Sequence, residues 1–471
     1  MKNKYSRREF FGKCTAYAAG MTALSSLNMA GYAKNFQPPS MNINIGKTKI
    51  KVVLAHPSSK EPCWPNIGYD FEANKAEFMK NLNTYYPDIQ FLPVTAMKDE
   101  DAAKILQSGT EVDGFIVYLS GCLWGSVPET IAGAGKPTVM VDNLFAGSGE
   151  FLTSYARVRR QGLPVTAVSS SDFKDVADAV RALDTIKKLK DSTVLVVGGK
   201  PDKKIEEFFG TRMVDIAFPE INEAYKVADK ATAQKWADQW ARGAAKIIEP
   251  TKSDIFKSAI LYVAMMDLMR THRAQAIAVN CLGGFYGGHM PAYPCLGFMQ
   301  LNNDGLVGAC EADQRSTITM LLMSYLVGRP GFISDPVIDT AKNQIIYAHC
   351  VAPTKVFGPD GPSNPFHIRS HSEDRKGACD RSLMPLGEMT TTVEFDAAKK
   401  QVIFHQGKTV ENVDLDLACR NKLAVEVQGD VHKLLNYWDQ WGWHRVTFYG
   451  DFKRQVYQMA QLLQFEVVEE A

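Results

Sequence analysis

Three residues stand out by type and setting: Glu311 in GACEADQRST (308–317), Asp335 in RPGFISDP (329–336) and His444 in GWHRVTFYGD (442–451). Two carboxylates and one imidazole suit a hard divalent cation of the Mn²⁺ type, with Co²⁺ or Mg²⁺ as relatives, better than a thiolate-seeking metal. A cation held this way, with positions left open, grips two neighbouring oxygens of a small substrate and polarises a carbonyl. Each residue also has a plainer reading. Glu311 suits a helix start, where the dipole favours an acid. Asp335, ahead of Pro336, suits a turn. His444, after Trp443, suits a hydrogen-bonded core position. The metal reading rests on the three together.

Other patterns carry less. His367 and His371 form H-x-x-x-H in FHIRSHSEDRKG (366–377), but a metalloprotease needs H-E-x-x-H on a helix, and here Ile368 replaces the glutamate and Pro365 sits just upstream. GAGKP (133–137) precedes a strand and VVGGK (196–200) lacks the Lys-Ser/Thr pair, so neither is a phosphate loop. GGFYGGHMP (283–291) reads as a mobile active-site loop or as simple chain reversal. Trp64, Trp124 and Trp443 are candidates for stacking on a sugar ring or for packing.

The elements that must position these residues follow from hydrophobic patterning. KIKVVLAHP (49–57), GFIVYLSG (114–121) and KPTVMVDN (136–143) are short β-branched runs separated by helical stretches. Such alternation predicts a parallel sheet covered on both faces. A second set follows: STVLVVGG (192–199), the helical ATAQKWADQWARGAAKII (231–248) and AQAIAVNC (274–281). After residue 340, NQIIYAHCVAP (343–353), MTTTVEFD (389–396) and KQVIFHQG (400–407) have hairpin-like spacing, and FKRQVYQMAQLLQF (452–465) reads as a closing helix. The expectation is an α/β chain: two Rossmann-like α/β domains at 47–165 and 166–340, then a smaller β-rich domain at 341–471.

The segments around Glu311, Asp335 and His444, in this order, resemble the L-fucose isomerase and L-arabinose isomerase family. Glu311 leads the E-x-D segment, and the 24-residue interval to Asp335, expected to end the next strand, resembles the fucose-isomerase branch. The likeness is specific over about 274–465. It implies that Glu311 and Asp335 are metal ligands and the acid–base pair, and that His444 is the third ligand. His349, in IIYAHC, matches a fourth-ligand histidine of the arabinose branch; it completes the sphere, touches sugar hydroxyls or is a core histidine. His371 and Glu373 match an R-S-H-x-E segment of smaller fucose-isomerase-like proteins and are substrate-binding candidates, as is Trp443. Arg445 stands where the family often has a second histidine, a departure that bears on substrate choice. The resemblance also implies a homo-oligomer whose sites borrow residues from a neighbour.

Composition frames this reading. A chain of 471 residues, 45% hydrophobic and 22% charged, has material for two or three cores. Its 53 basic and 52 acidic residues argue against nucleic acid or an anionic membrane as the main partner. Residues 6–13, SRREFFGK, resemble a twin-arginine export signal, with Cys14 to Ala30 as its weakly apolar stretch and Gly31-Tyr32-Ala33 as a small-residue cleavage site. Residues 34–46 read as a linker. The expected location is therefore periplasmic or exported, with no membrane contact beyond the signal. Of nine cysteines none forms C-x-x-C, and buried free thiols are the expected role for most.

The leading expectation is a divalent-metal-dependent aldose–ketose isomerase acting on a deoxyhexose, pentose or related sugar through an enediol. The alternatives are an exported carbohydrate-binding or sensing protein without turnover, and an epimerase or lyase that keeps the same metal site.

Overall fold

The computed structural model describes residues 46–109 and 111–471. The export signal and all of the linker but its last residue lie outside the described residues. The fold is mixed α/β, with two parallel Rossmann-like sheets and a C-terminal antiparallel barrel.

The first sheet holds β1 (Lys49–Ala55), β2 (Gln90–Ala96), β3 (Gly114–Leu119), β4 (Thr138–Asp142) and β5 (Val165–Val168), all parallel, in the order β2-β1-β3-β4-β5. β3 and β4 are buried along their whole length because helices cover both faces, which is why they read as continuous apolar runs. Aspartates start several of the helices: Asp70 accepts from the Ala73 N–H, and Asp172 from the Lys174 N–H.

The second sheet is also parallel, in the order β10-β9-β6-β7, from β6 (Thr193–Val197), β7 (Arg212–Ile216), β9 (Ala276–Val279) and β10 (Val307–Ala309). Its longest helix, Lys252–His272, opens on a reciprocal capping box between Thr251 and Asp254. The helical stretch expected at 231–248 ends at Gly243, and β8 (Lys246–Ile247) instead joins a small sheet with β13 (Phe366–Arg369) and β14 (Cys379–Ser382). The expected loop at 283–291 also differs, since a short helix, Cys281–Tyr286, takes its first four residues. Asn280 caps that helix by accepting from the Gly283 N–H.

The barrel is a closed ring in the order β15-β18-β11-β12-β17-β16, returning from β16 to β15. Its strands are β11 (Phe332–Asp339), β12 (Gln344–His349), β15 (Met389–Asp396), β16 (Gln401–Asn412), β17 (Asn421–Val427) and β18 (Arg445–Tyr449), every neighbour antiparallel. β19 (Glu466–Glu469) adds in parallel along β16. Closure leaves no open edge within the ring. β11 pairs with β12 and β18, so the barrel takes up chain from residue 332, ahead of the boundary expected at 340.

Inside the ring the packing is partly polar. Arg445 is fully buried and its guanidinium donates to both Glu470 carboxylate oxygens, at 2.9–3.1 Å, while lying 4.2 Å above the Trp438 ring. Glu470 also meets His405 Nδ1 at 2.9 Å, and His405 Nε2 meets the Tyr347 hydroxyl. Burial would raise the Glu470 carboxyl, but Arg445 and His405 hold it below its ordinary range. Breaking such a pair strands a buried charge. Arg445→Met is therefore expected to cost about 3–5 kcal/mol of stability, read from urea unfolding; a loss under about 1 kcal/mol would show that the pair holds little.

One apolar cluster runs through the two parallel sheets and the barrel. It takes in Ile50, Val52 and Leu54 of the first, Val194 and Val196 of the second, and Val393, Phe395 and Val446 of the barrel. The helix Phe173–Asp191 buries Val176, Val180 and Leu183 in it and packs against the helices Gln314–Val327 and Lys453–Leu463.

Candidate active site

The site forms where the carboxyl end of β10 meets the barrel. Outside strand carboxyl ends is where ligands bind in open parallel sheets. Glu311 follows β10 with φ +59°, and Ala312 follows with φ +50°, a left-handed pair that non-glycine residues rarely adopt. The turn is held by the Ala312 N–H to the Val279 carbonyl, at 2.9 Å, and by the Asp313 N–H to the Cys310 carbonyl, at 3.2 Å. The helix-start role that Glu311 suited on sequence belongs to Asp313. Its carboxylate caps the helix Gln314–Val327 by accepting from the Ser316 N–H and hydroxyl, at 3.0 and 2.8 Å.

Asp335 was expected to end a strand, but β11 continues to Asp339 and pairs Asp335 with Ala348. His349 ends β12, opposite Asn421 of β17, and His444 immediately precedes β18. Gly442 lets this last segment pass. It takes φ +82°, and a Cβ there would run into the Arg315 guanidinium, which is paired with Asp396 at 2.9 Å.

The side chains converge. His444 Nε2 lies 3.2 Å from Asp335 Oδ1 and 3.6 Å from Glu311 Oε2, and His349 Nε2 lies 3.8 Å from Glu311 Oε1. The two imidazole rings are 5.5 Å apart. His444 Nδ1 is bound to Asp313 Oδ2 at 2.8 Å, which leaves Nε2 aimed into the site. His444 Nε2 and both nitrogens of His349 are buried with no hydrogen-bond partner. Ligand atoms of Asp335, His349 and His444 all lie within 4.8 Å of one another, as do those of Cys310, Glu311 and His349.

The electrostatics match this layout. Burial would depress the His444 imidazole, but the Asp313 and Asp335 carboxylates outweigh it and lift it to about 10. Burial would raise Asp313, yet His444 and Ser316 hold it at about 2. Asp335 is also held low, by His444 and His349 against burial. His349 is pushed down by burial and by the neighbouring His444.

The remaining candidates lie around this centre. His371 is buried beside Cys350, the residue after His349, with Nδ1 3.4 Å from Asp374 and the Phe285 and Tyr293 rings each 5.7 Å away. Burial would depress it, but Cys350 and Asp374 lift it to about 9. Glu373 accepts from the Tyr286 hydroxyl, and Trp443 stands 62% exposed next to His444. Arg445 faces away into the barrel, so its departure from the family pattern falls outside this centre. Sequence reading missed Asp313, whose signal was the E-x-D spacing, and Cys419, whose sulfur lies 3.9 Å from Asp335 Oδ2. Trp64 and Trp124 lie in the first α/β unit, exposed, and are not part of this cluster.

No family model matches the chain. Similar proteins named sulfoquinovose isomerase occur in Priestia megaterium, 22% identical over 300 residues, and in a Clostridium species, 24% identical over 318 residues; in both the match covers 61% of this chain. The likeness is to sugar isomerases. A third, from Alkalicoccus urumqiensis, is 21% identical over 316 residues. The chain spans 66% of the length of the Priestia and Clostridium relatives.

Proposed function

We propose that this chain is an aldose–ketose isomerase whose centre holds a divalent cation. The observation that carries the reading is the convergence of Glu311, Asp335, His349 and His444, whose inward imidazole nitrogens face carboxylates at 3.2–3.8 Å and make no hydrogen bond. Unpartnered buried polar atoms are costly, and two carboxylates with two imidazoles fit a cation of the Mn²⁺, Co²⁺ or Mg²⁺ kind. When bound, such a cation supplies a Lewis acid that grips adjacent sugar oxygens and makes the C2 proton easier to remove.

The chain's own groups do the rest. An isomerisation removes the proton at C2, returns one to C1, and moves another between O1 and O2. Glu311 and Asp335 are the carboxylates for these transfers, and both keep part of their surface open to a substrate. His371, Glu373 and Trp443 are the groups proposed to meet the sugar hydroxyls and ring. The substrate is a deoxyhexose, pentose or related sugar, and sulfoquinovose, named for the relatives, is the first to try. A homo-oligomer and a periplasmic or exported location complete the proposal.

The test is incubation of the Mn²⁺-loaded protein with candidate sugars in heavy water. Ketose product with deuterium at C1 supports the proton-transfer route. Unchanged, unlabelled sugar across the series would sink it and favour a binding protein.

Asp313 is expected to act through His444, since its bond to Nδ1 orients the ring so that Nε2 faces the site and can give up its proton to a cation. Asp313→Asn should weaken Mn²⁺ binding by about 10–100-fold, measured by calorimetry. Unchanged affinity would mean that Asp313 serves only as a helix cap.

A further inference from the structure

Cys281 and Cys310 lie just past the ends of the neighbouring parallel strands β9 and β10, whose register pairs Ala278 with Ala309. Their sulfurs are 2.9 Å apart, and the two side chains are 1% and 5% exposed. That separation is well inside the contact distance of two unbonded sulfurs. It is also too short for two thiolates sharing one tetrahedral cation, whose sulfurs would stand ~3.8 Å apart at a metal–sulfur distance of ~2.3 Å. A disulfide needs ~2.05 Å, reached by a shift of under ~1 Å.

On the barrel side Cys350 and Cys419 form a second side-chain pair, but these cysteines have oxygen neighbours as well. Cys350 meets the Ser372 hydroxyl at 3.3 Å, Cys379 the Ser370 carbonyl at 3.2 Å, and Cys419 the Asp335 carboxylate at 3.9 Å.

We propose that Cys281 and Cys310 are the site of a disulfide, formed when the chain folds in the presence of a small disulfide oxidant. The two thiols give up two protons and two electrons as their sulfur–sulfur bond forms. The oxidant's own sulfur–sulfur bond breaks and takes them up as two thiols. The bond forms before the core closes, because buried thiols are poor partners for exchange. Once sealed it ties the strand end that presents Glu311 to the helix that presents Tyr286, whose hydroxyl reaches Glu373. None of this depends on which reaction the site performs.

The test uses the full chain, unfolded and then refolded in oxidised glutathione, with remaining thiols alkylated in denaturant and peptides mapped without reduction. The expected result is a linked peptide pair joining Cys281 to Cys310, two hydrogens lighter than the separate peptides and split by reductant. Cys281→Ala and Cys310→Ala should each abolish the link and leave the other cysteine alkylated. Wild-type protein should also unfold at higher urea before reduction than after, a difference absent from Cys281→Ala. Full alkylation of both cysteines after oxidative refolding, or a link formed only between Cys350 and Cys419, would overturn the proposal.

Discussion

Glu311→Gln and Asp335→Asn should each lower kcat by about 10³-fold or more while leaving the fold intact, since a lost acid–base group alone costs about 10²–10⁴-fold. Each change keeps the shape of the side chain and removes its ability to take a proton. Both residues are partly open to solvent, so no buried charge is stranded in the folded state. Loss of a ligand and loss of a base are separated by titrating each variant with Mn²⁺. A variant that saturates with metal and stays inactive has lost its base. Activity within about tenfold of wild type in either variant would remove that carboxylate from the chemistry.

Removal of the cation should have an effect of the same order. Chelation is expected to abolish turnover, Mn²⁺ to restore it, and elemental analysis to find about one ion per chain in the active protein. His444→Ala should weaken binding by more than about 100-fold, beyond what loss of an orienting partner such as Asp313 costs. The reason is geometric: with Nδ1 committed to Asp313, Nε2 of His444 is the nitrogen aimed between Asp335 and Glu311. Full activity after chelation, with no ion taken up from excess Mn²⁺, would mean that these side chains only hold the fold together.

The sequence disclosed the parallel sheets well, because strands covered on both faces leave continuous apolar runs such as GFIVYL and TVMVD. It also singled out Glu311, Asp335, His349 and His444, whose side chains the fold brings within 3.2–3.8 Å of one another in successive pairs. What it concealed depends on distant pairing. β11 reads as the tail of an α/β unit until its partners, β12 and the far later β18, are known. Asp313 looks like a helix cap and is one, while its second contact lies 131 residues further on. Arg445 was read as bearing on substrate choice because it stands where the family often has a second histidine, yet its guanidinium is spent on Glu470, a partner 25 residues further on. The closeness of Cys281 and Cys310 follows from the register of β9 with β10, which no spacing motif encodes.

The apolar cluster shared by the two parallel sheets and the barrel has a consequence for how a substrate arrives. A hinge opening between the parallel sheets and the barrel would have to bring Val180, Leu183, Ile318, Leu322, Val393, Phe395 and Val446 into water. Exposing even a few such side chains costs several kcal/mol, at about 1.5–3 kcal/mol each. The two halves of the centre are thus set against each other at folding and do not clamp shut on a guest. Small-angle scattering with and without saturating sugar should therefore give the same radius of gyration for the chain.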